Sequence, residues 1–376
     1  MIVARCFVWV WRRSSSKKKE FQWEFARQVS MLKSRTIEFP VKISGVEEWG
    51  IMGSSLPYWF DMSQISQDET PADATGRFAD AINAQLAASS KKQINIYVHG
   101  YKVVYENPVL VSAELWHFPG YDGAFIAYAW PSTPSKFAYI KDSDTSAGYA
   151  RNLRLLIECI GENTDAEEIN VIGYSNGTRL VTRAMEQLAL IHHGESADEI
   201  FGQLHLRNVI LVGSDLDRGV FGSYMADGLL NVSKHMSVYV SQRDKALGFS
   251  RFLTRRERLG QLWGAGGGEL HPLARQALIE YQDQISFINV THAEGADTGN
   301  GHGYFLSSPW ASSDILMTIQ YGLSPQQRGL VEQDDLPVFT FPPDYISRLW
   351  DAIKSVDPEF AEDMEAFRAR QTKESD

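Results

Sequence analysis

The chain is predicted to adopt an α/β fold: a mostly parallel central sheet with helices on both faces. Three observations carry that expectation. Short, β-branched, apolar runs recur along the chain, of the kind that fits strands buried on both sides. Stretches with helical spacing alternate with them. The runs also end in loops rich in glycine, histidine and aspartate, and the C-terminal edge of an open α/β sheet is where sites form.

Before the alternation begins, Thr36-Ile37-Glu38-Phe39 and the stretch Trp49–Leu56 are strand-like. Pro71–Ser89 has helical spacing, with Phe78, Ile82 and Leu86 on one face, and Ser89-Ser90-Lys91-Lys92 breaks it. Ile94–Val98 is a buried-type strand that ends in His99-Gly100. A helix is expected around Val109–Trp116, where Trp116, His117 and Phe118 read as packing residues, and then a strand over Gly123–Trp130. Ser146–Ile160 is helical, followed by a strand from Ile169 and a helix that runs to Ile191. Further strands are expected at Leu206–Val212, Met236–Val240 and Ile285–Val290, and a helix at Ala311–Tyr321. Beyond Gly322 the pattern thins to proline-containing linkers and one amphipathic helix carrying Ile346, Leu349, Trp350 and Ile353. The organisation expected is a leader over 1–34, a main domain over 35–325 and a C-terminal extension over 326–376.

The bulk properties exclude some function classes. A net charge of -11 argues against a general nucleic-acid binder, which needs a basic face. The 2 cysteines, Cys6 and Cys159, form neither a disulfide framework nor a metal-type spacing. Cys159 sits in a helical pattern and reads as a small core residue. In so cysteine-poor a chain the triplets at Asn231 and Asn289 read as chance matches to a glycosylation site. No metal or organic cofactor is expected.

Ile2–Trp11 is mostly apolar and Arg12-Arg13-Ser14-Ser15-Ser16-Lys17-Lys18-Lys19 follows. The run falls short of the roughly 17–25 residues of a spanning helix. Its charges follow the apolar part rather than precede it, as they would in a signal peptide. The leader reads as disordered or mis-assigned, with a weak membrane-surface contact through residues 2–19, including Trp9 and Trp11, as the sharper alternative. A cytoplasmic location is expected, with membrane association through this segment as the alternative.

The chemistry centres on Gly173-Tyr174-Ser175-Asn176-Gly177, a G-x-S-x-G turn between a strand and a helix. Such a turn is too tight for a Cβ at either glycine. It lifts the serine hydroxyl to the top of the sheet, beside a helix N-terminus that favours negative charge. Alone, the pentapeptide reads more readily as a loop; its flanks supply the context. An activated serine needs a base, the base needs an orienter, and the oxyanion needs donors. Among 9 histidines, His302 is favoured as base because it follows the last strand in a loop framed by Gly299, Gly301 and Gly303. His292 is the second choice. Asp244, after the strand Met236–Val240, is favoured as the acid, and Asp215 is second; with Asp217, all of these are equally readable as cap carboxylates. The order Ser175, Asp244, His302 is that of nucleophile, acid and histidine in this class of enzyme. The backbone N–H groups of Asn176 and Tyr101 are the expected oxyanion donors, and His99 reads as structural.

Tyr97-Val98-His99-Gly100-Tyr101, Ala129-Trp130-Pro131-Ser132, the elbow, Asp215-Leu216-Asp217, Ser241-Gln242-Arg243-Asp244-Lys245-Ala246-Leu247 and Gly301-His302-Gly303-Tyr304-Phe305 occur in that order. Together they resemble the bacterial α/β-hydrolase family catalogued as domain of unknown function 900, over roughly residues 90 to 320. The resemblance implies an α/β-hydrolase fold with serine-hydrolase residues at Ser175, Asp244 and His302, and no substrate. The family elbow usually has histidine before the serine and Met-Gly after it. Here Tyr174 and Asn176 stand at the flanking positions, which bears on the pocket floor more than on the nucleophile.

The expected function is a serine hydrolase acting on a small acyl ester through an acyl-enzyme. The alternatives are a thioesterase or peptidase of the same fold, or a non-catalytic binding or scaffold protein on it. Gly260–His271, with Trp263, reads equally as a mobile lid or a surface loop.

Overall fold

The computed structural model describes residues 71–362, apart from 105, 134, 136–137, 262–271 and 334–335, together with residue 365. The leader, the strand-like stretches before residue 71 and most of the expected lid lie outside the described residues.

Eight strands form one sheet, in the order β2-β1-β3-β4-β5-β6-β8-β7. They are β1 (Gln93–Val98), β2 (Ala124–Tyr128), β3 (Glu168–Tyr174), β4 (Leu206–Val212), β5 (His235–Val240), β6 (Ile285–Asn289), β7 (Val331–Gln333) and β8 (Leu336–Thr340). All neighbours pair in parallel except β7 and β8. The helices are α1 (Pro71–Ala87), α2 (Glu106–His117), α3 (Tyr139–Asn163), α4 (Gly177–Ile191), α5 (Ala197–Leu204), α6 (Arg218–Ala226), α7 (Lys245–Thr254), α8 (Pro272–Glu280), α9 (Tyr304–Ser307), α10 (Pro309–Tyr321) and α11 (Tyr345–Val356). Parallel strands cannot be joined by tight hairpins, so a crossover must cover a face of the sheet each time.

The alternation of side chains along each strand divides the core into two layers. From β1, Ile94, Ile96 and Val98 pack with Phe78, Ile82 and Leu86 of α1 and with Leu180, Val181 and Met185 of α4. Tyr97 points the other way, into a layer with Val111 and Leu115 of α2, Ile315 and Ile319 of α10 and Leu349 and Ile353 of α11. The same split runs through β5, with Met236 and Val238 on one side and Tyr239 on the other. The predicted three-layer α/β architecture is therefore the observed one. Cys159 is buried in α3, and burial pushes its thiol up to about 11. Among the described residues no helix is long and apolar enough to cross a membrane.

The main departure from expectation lies after residue 325. The stretch read as linkers holds β7 and β8, and β8 pairs with β6 in the same sheet. The division between 325 and 326 thus cuts through one sheet rather than between two units. Pro337 within a five-residue strand, and the wholly exposed β7, hide the signal, because proline removes a ladder donor. Pairing with an existing sheet edge supplies what local sequence lacks. The extension is also pinned by charge: Arg328 Nε and Nη2 lie 2.6 and 3.1 Å from the Asp314 carboxylate, which accepts the Tyr239 hydroxyl at 2.6 Å. The amphipathic helix expected there is α11, whose Tyr345, Leu349 and Ile353 are buried.

Candidate active site

The C-terminal ends of β1, β3, β4 and β5 converge on Ser175. The elbow forms because β3 must turn into α4 with only Ser175 and Asn176 between them. Ser175 takes a left-handed φ of 53°, an arrangement that costs a non-glycine residue about 1–3 kcal/mol. The donation from Ser175 N to Val212 O at 2.9 Å ties the turn to the end of β4. Gly177 is required by close approach: a Cβ there would lie 2.3 Å from His99 O and 2.7 Å from Val98 O. Helix α4 can therefore start against the end of β1. Gly100 meets Ser175 from the other side, where a Cβ would lie 2.9 Å from Ser175 Cβ.

Three buried side chains form a connected line. His302 Nε2 lies 2.8 Å from Ser175 Oγ, and His302 Nδ1 lies 2.6 Å from Asp244 Oδ2. A carboxylate only accepts, so Nδ1 carries the proton and Nε2 is free to accept from the serine. This is the tautomer a general base needs. Asp244 is itself fixed by its position: its Oδ1 accepts the Leu247 N–H at 3.0 Å and caps α7.

The loop that carries His302 is held by Tyr304, two residues on. The Tyr304 hydroxyl accepts the Gly213 N–H at 2.7 Å and donates to Tyr239 O at 2.9 Å. One phenol thus bridges the ends of β4 and β5 and sets the height of the loop. The Tyr174 ring packs on the His302 ring at 5.1 Å. Burial, with the Asp244 charge second, pushes the Tyr174 hydroxyl well above the usual phenol range.

Such a serine, imidazole and carboxylate at the strand ends of a parallel sheet is the arrangement of an α/β hydrolase. The family model described as "Alpha/beta hydrolase of unknown function (DUF900)" matches residues 74–318, more than half of the chain. The chain belongs to this family. No curated protein matches it. Among solved structures, it is similar to a dienelactone hydrolase from Anabaena variabilis, with 14% identity over 58% of this chain and 88% of that one and a TM-score of 0.33. It is also similar to an esterase from Pyrococcus furiosus, at 14% identity over 41% of this chain and 63% of that one, TM-score 0.24. A third is a lipase-esterase related protein from Clostridium acetobutylicum, at 11% identity over 45% and 83%, TM-score 0.23.

In this chain the second-choice residues stand elsewhere. Asp215 is enclosed by Tyr139 and Ser250, whose hydroxyls each reach its carboxylate at 2.6 Å, and by Arg179 and Arg258 at 3.5 Å. With its oxygens so engaged it braces α3, α4 and α7, and the imidazole faces Asp244 instead. His292 is exposed, and the position beside Ser175 is taken by His302. Asp217 caps α6 through the Val220 N–H at 3.0 Å.

The two expected oxyanion donors lie on either side of Ser175. Asn176 stands at the N-cap of α4, among the amides that a helix leaves without an intrahelical acceptor. Tyr101 follows Gly100 in the loop packed on Ser175. His99 acts on that peptide. Its ring stacks on Trp130 at 5.1 Å, its Nδ1–H donates to Gly100 O at 2.7 Å, and its Nε2 accepts the Trp130 N–H at 3.2 Å. A trans peptide points its N–H opposite to its C=O, so holding Gly100 O orients the Tyr101 N–H. Burial lowers the His99 pKa to about 4 and keeps the ring neutral.

Of the expected lid only Gly260 and Gln261 are described, and both are buried against the site rather than over it. Gln261 Nε2 donates to Asp244 O at 2.7 Å, and the Gly260 N–H donates to Ser214 O at 2.9 Å. Among the described residues no group of three His, Cys, Asp or Glu side chains could hold a metal ion. A cleft of about 670 Å³ lies at the opposite end of the sheet, lined by Lys91, Gln93, Glu168, Arg207 and Tyr321. Its lining holds no histidine or cysteine, and chemistry rather than volume makes Ser175 the candidate. Tyr304 and Gly100 lie in motifs visible in the sequence, but the sequence assigns neither a role in holding the site. Nothing local marks a tyrosine whose partners come from β4 and β5.

Proposed function

We propose that the protein is a serine hydrolase that cleaves a small carboxylic ester through an acyl-enzyme. One observation carries the reading: the continuous line from Ser175 Oγ through His302 to Asp244, at 2.8 and 2.6 Å. In the first step Ser175 Oγ attacks the ester carbonyl while His302 Nε2 takes its proton. Asp244 holds the ring through Nδ1 and stabilises the imidazolium that forms. The oxyanion is received by the N–H groups of Asn176 and Tyr101; removing one such donor typically costs on the order of 10²–10³ in turnover. As the tetrahedral intermediate collapses, the C–O bond to the alcohol breaks and Nε2 returns the proton to the leaving oxygen. A water, deprotonated by the same Nε2, then attacks the acyl-serine and releases the carboxylic acid. No metal or organic cofactor enters these steps.

The test is hydrolysis of p-nitrophenyl acyl esters by the wild type and by Ser175→Ala, with fluorophosphonate labelling of the native protein. The reading expects labelling at Ser175 and a loss in the variant on the order of 10⁴-fold or more. Equal slow rates together with no labelling would instead favour a binding protein on a hydrolase fold.

A further inference from the structure

Helix α7 turns its aromatic side chains outward. It starts on Asp244, so it springs directly from the candidate active site. Leu247 and Ser250 are buried against the protein. Lys245, Phe249 and Phe252, spaced at four and three residues, share the opposite face. Phe249 is 57% exposed and Phe252 is 78% exposed. Single exposed apolar residues need no explanation, but two aromatic rings on one helix face mark an interaction surface. The start of α3 lies close to α7. Tyr139 Oη lies 2.6 Å from Ser250 Oγ, and the next residue, Ile140, is 73% exposed beside the exposed Lys141.

The charge of this region opposes that of the whole chain. Against a net charge of -11, the stretch from 243 to 258 carries Arg243, Lys245, Arg251, Arg255, Arg256 and Arg258 with only Asp244 and Glu257. Some of these cations are engaged. Arg258 faces Asp215, Arg243 faces Asp297 at 3.3 Å, Arg251 shares Glu257 with Arg218, and Arg256 stands 3.9 Å from Asp217. Lys245 and Arg255 are exposed and have no carboxylate partner among the described residues.

We propose that this face of α7, together with Ile140 and Lys141, docks on an anionic lipid surface. The ester hydrolysed at Ser175 is then an acyl lipid drawn from that surface; this second half rests on the serine-hydrolase reading above. Aromatic side chains enter the boundary between headgroups and acyl chains, and lysine and arginine around them meet anionic headgroups. A second copy docked through the same face in a twofold dimer would set this basic patch against itself, like charge against like charge. Because α7 begins on the residue that holds His302, docking brings Ser175 to the surface where long-chain esters reside.

The experiment uses the full chain carrying Ser175→Ala, so that vesicles stay intact. Co-sedimentation is measured with phosphatidylglycerol–phosphatidylcholine vesicles and with phosphatidylcholine alone. Binding is expected to the anionic vesicles, to weaken with salt, and to fall roughly tenfold or more in F249S/F252S and in K141E/R255E. In the Ser175 background, the same pairs of changes should leave hydrolysis of a short soluble ester unchanged and slow hydrolysis of a vesicle-borne ester. Absence of vesicle binding overturns the proposal. So does binding that survives both pairs of changes, which would put the contact on another segment such as residues 2–19. Self-association abolished by F249S/F252S without vesicle binding also overturns it, in favour of a second copy. The two readings fail separately: docking without esterase activity sinks the ester assignment, and esterase activity without docking sinks the lipid surface alone.

Discussion

Asp244 holds His302 with one carboxylate oxygen and a helix with the other. Oδ2 lies 2.6 Å from His302 Nδ1, while Oδ1 accepts the Leu247 N–H at the start of α7. The capping bond fixes the side-chain rotamer, so the orientation of the imidazole is inherited from the position of α7. Asp244→Asn should keep the cap through its amide oxygen and turn NH₂ toward Nδ1. That forces the proton onto Nε2, where it cannot accept from serine, and turnover should fall on the order of 10⁴-fold with little change in melting temperature. Asp215→Asn should do the reverse. Its loss leaves Arg258 buried without a counter-charge, at roughly 3–5 kcal/mol of stability, while turnover by the remaining folded enzyme stays within an order of magnitude. Steady-state kinetics and denaturant unfolding on both variants separate the two carboxylates.

Tyr304→Phe should show how tightly the histidine loop must be held. The change strands the Gly213 N–H and Tyr239 O, both buried. Each unsatisfied group costs about 1–3 kcal/mol. Unfolding should register that loss, and turnover should fall more than KM rises, because the loop height sets the Ser175–His302 distance rather than the substrate contacts. Unchanged turnover at full occupancy would show that the loop is held by other means.

The elbow strain predicts a trade of function for stability. Ser175→Gly relieves the left-handed φ of 53°. It should abolish ester cleavage and raise stability by about 1 kcal/mol, once the lost contact to His302 is set against the relief. Equilibrium unfolding of the variant checks the sign.

His99 predicts an acid-sensitive fold. Its pKa lies near 4 in the folded chain because burial disfavours the cation, against about 6.5 in an unfolded one. Between those values the unfolded state binds more protons, so stability rises with pH across the window. The contribution is complete above about pH 6.5 and is lost as pH falls toward 4, in total about 3 kcal/mol at roughly 1.4 kcal/mol per pH unit. Urea unfolding of wild type and His99→Gln at pH 7, 5.5 and 4.5 should show the wild type losing more stability by that order. Parallel slopes would assign the acid sensitivity to other groups.

Much of the architecture was legible because it is periodic. The strands Leu206–Val212 and Ile285–Asn289, and the helix ending at Ile191, are written in continuous apolar runs or helical spacing that local chemistry reads directly. The elbow was legible because Gly173 and Gly177 flank Ser175 with a strand before and a helix after. Strand β8 was not, since Pro337 and its five-residue length look like linker until β6 offers an edge to pair with. Tyr304 was not, since its partners belong to strands more than sixty residues away.

By itself the sequence determined the class of fold, the place of the candidate serine and the short set of residues proposed to serve it. Those properties depend on neighbours along the chain: side-chain period, turn sterics and the order of motifs. The order of motifs favoured Asp244 over Asp215 and His302 over His292, and the tertiary structure supplied the distances that set each pair apart. Both aspartates follow a strand, and from the sequence both read equally well as caps. What distinguishes them is which strand end lies under the 299–304 loop, and that is set by the sheet order that places β4 and β5 beside β3 and β6. Catalytic distance is a long-range quantity, decided when the strands pair.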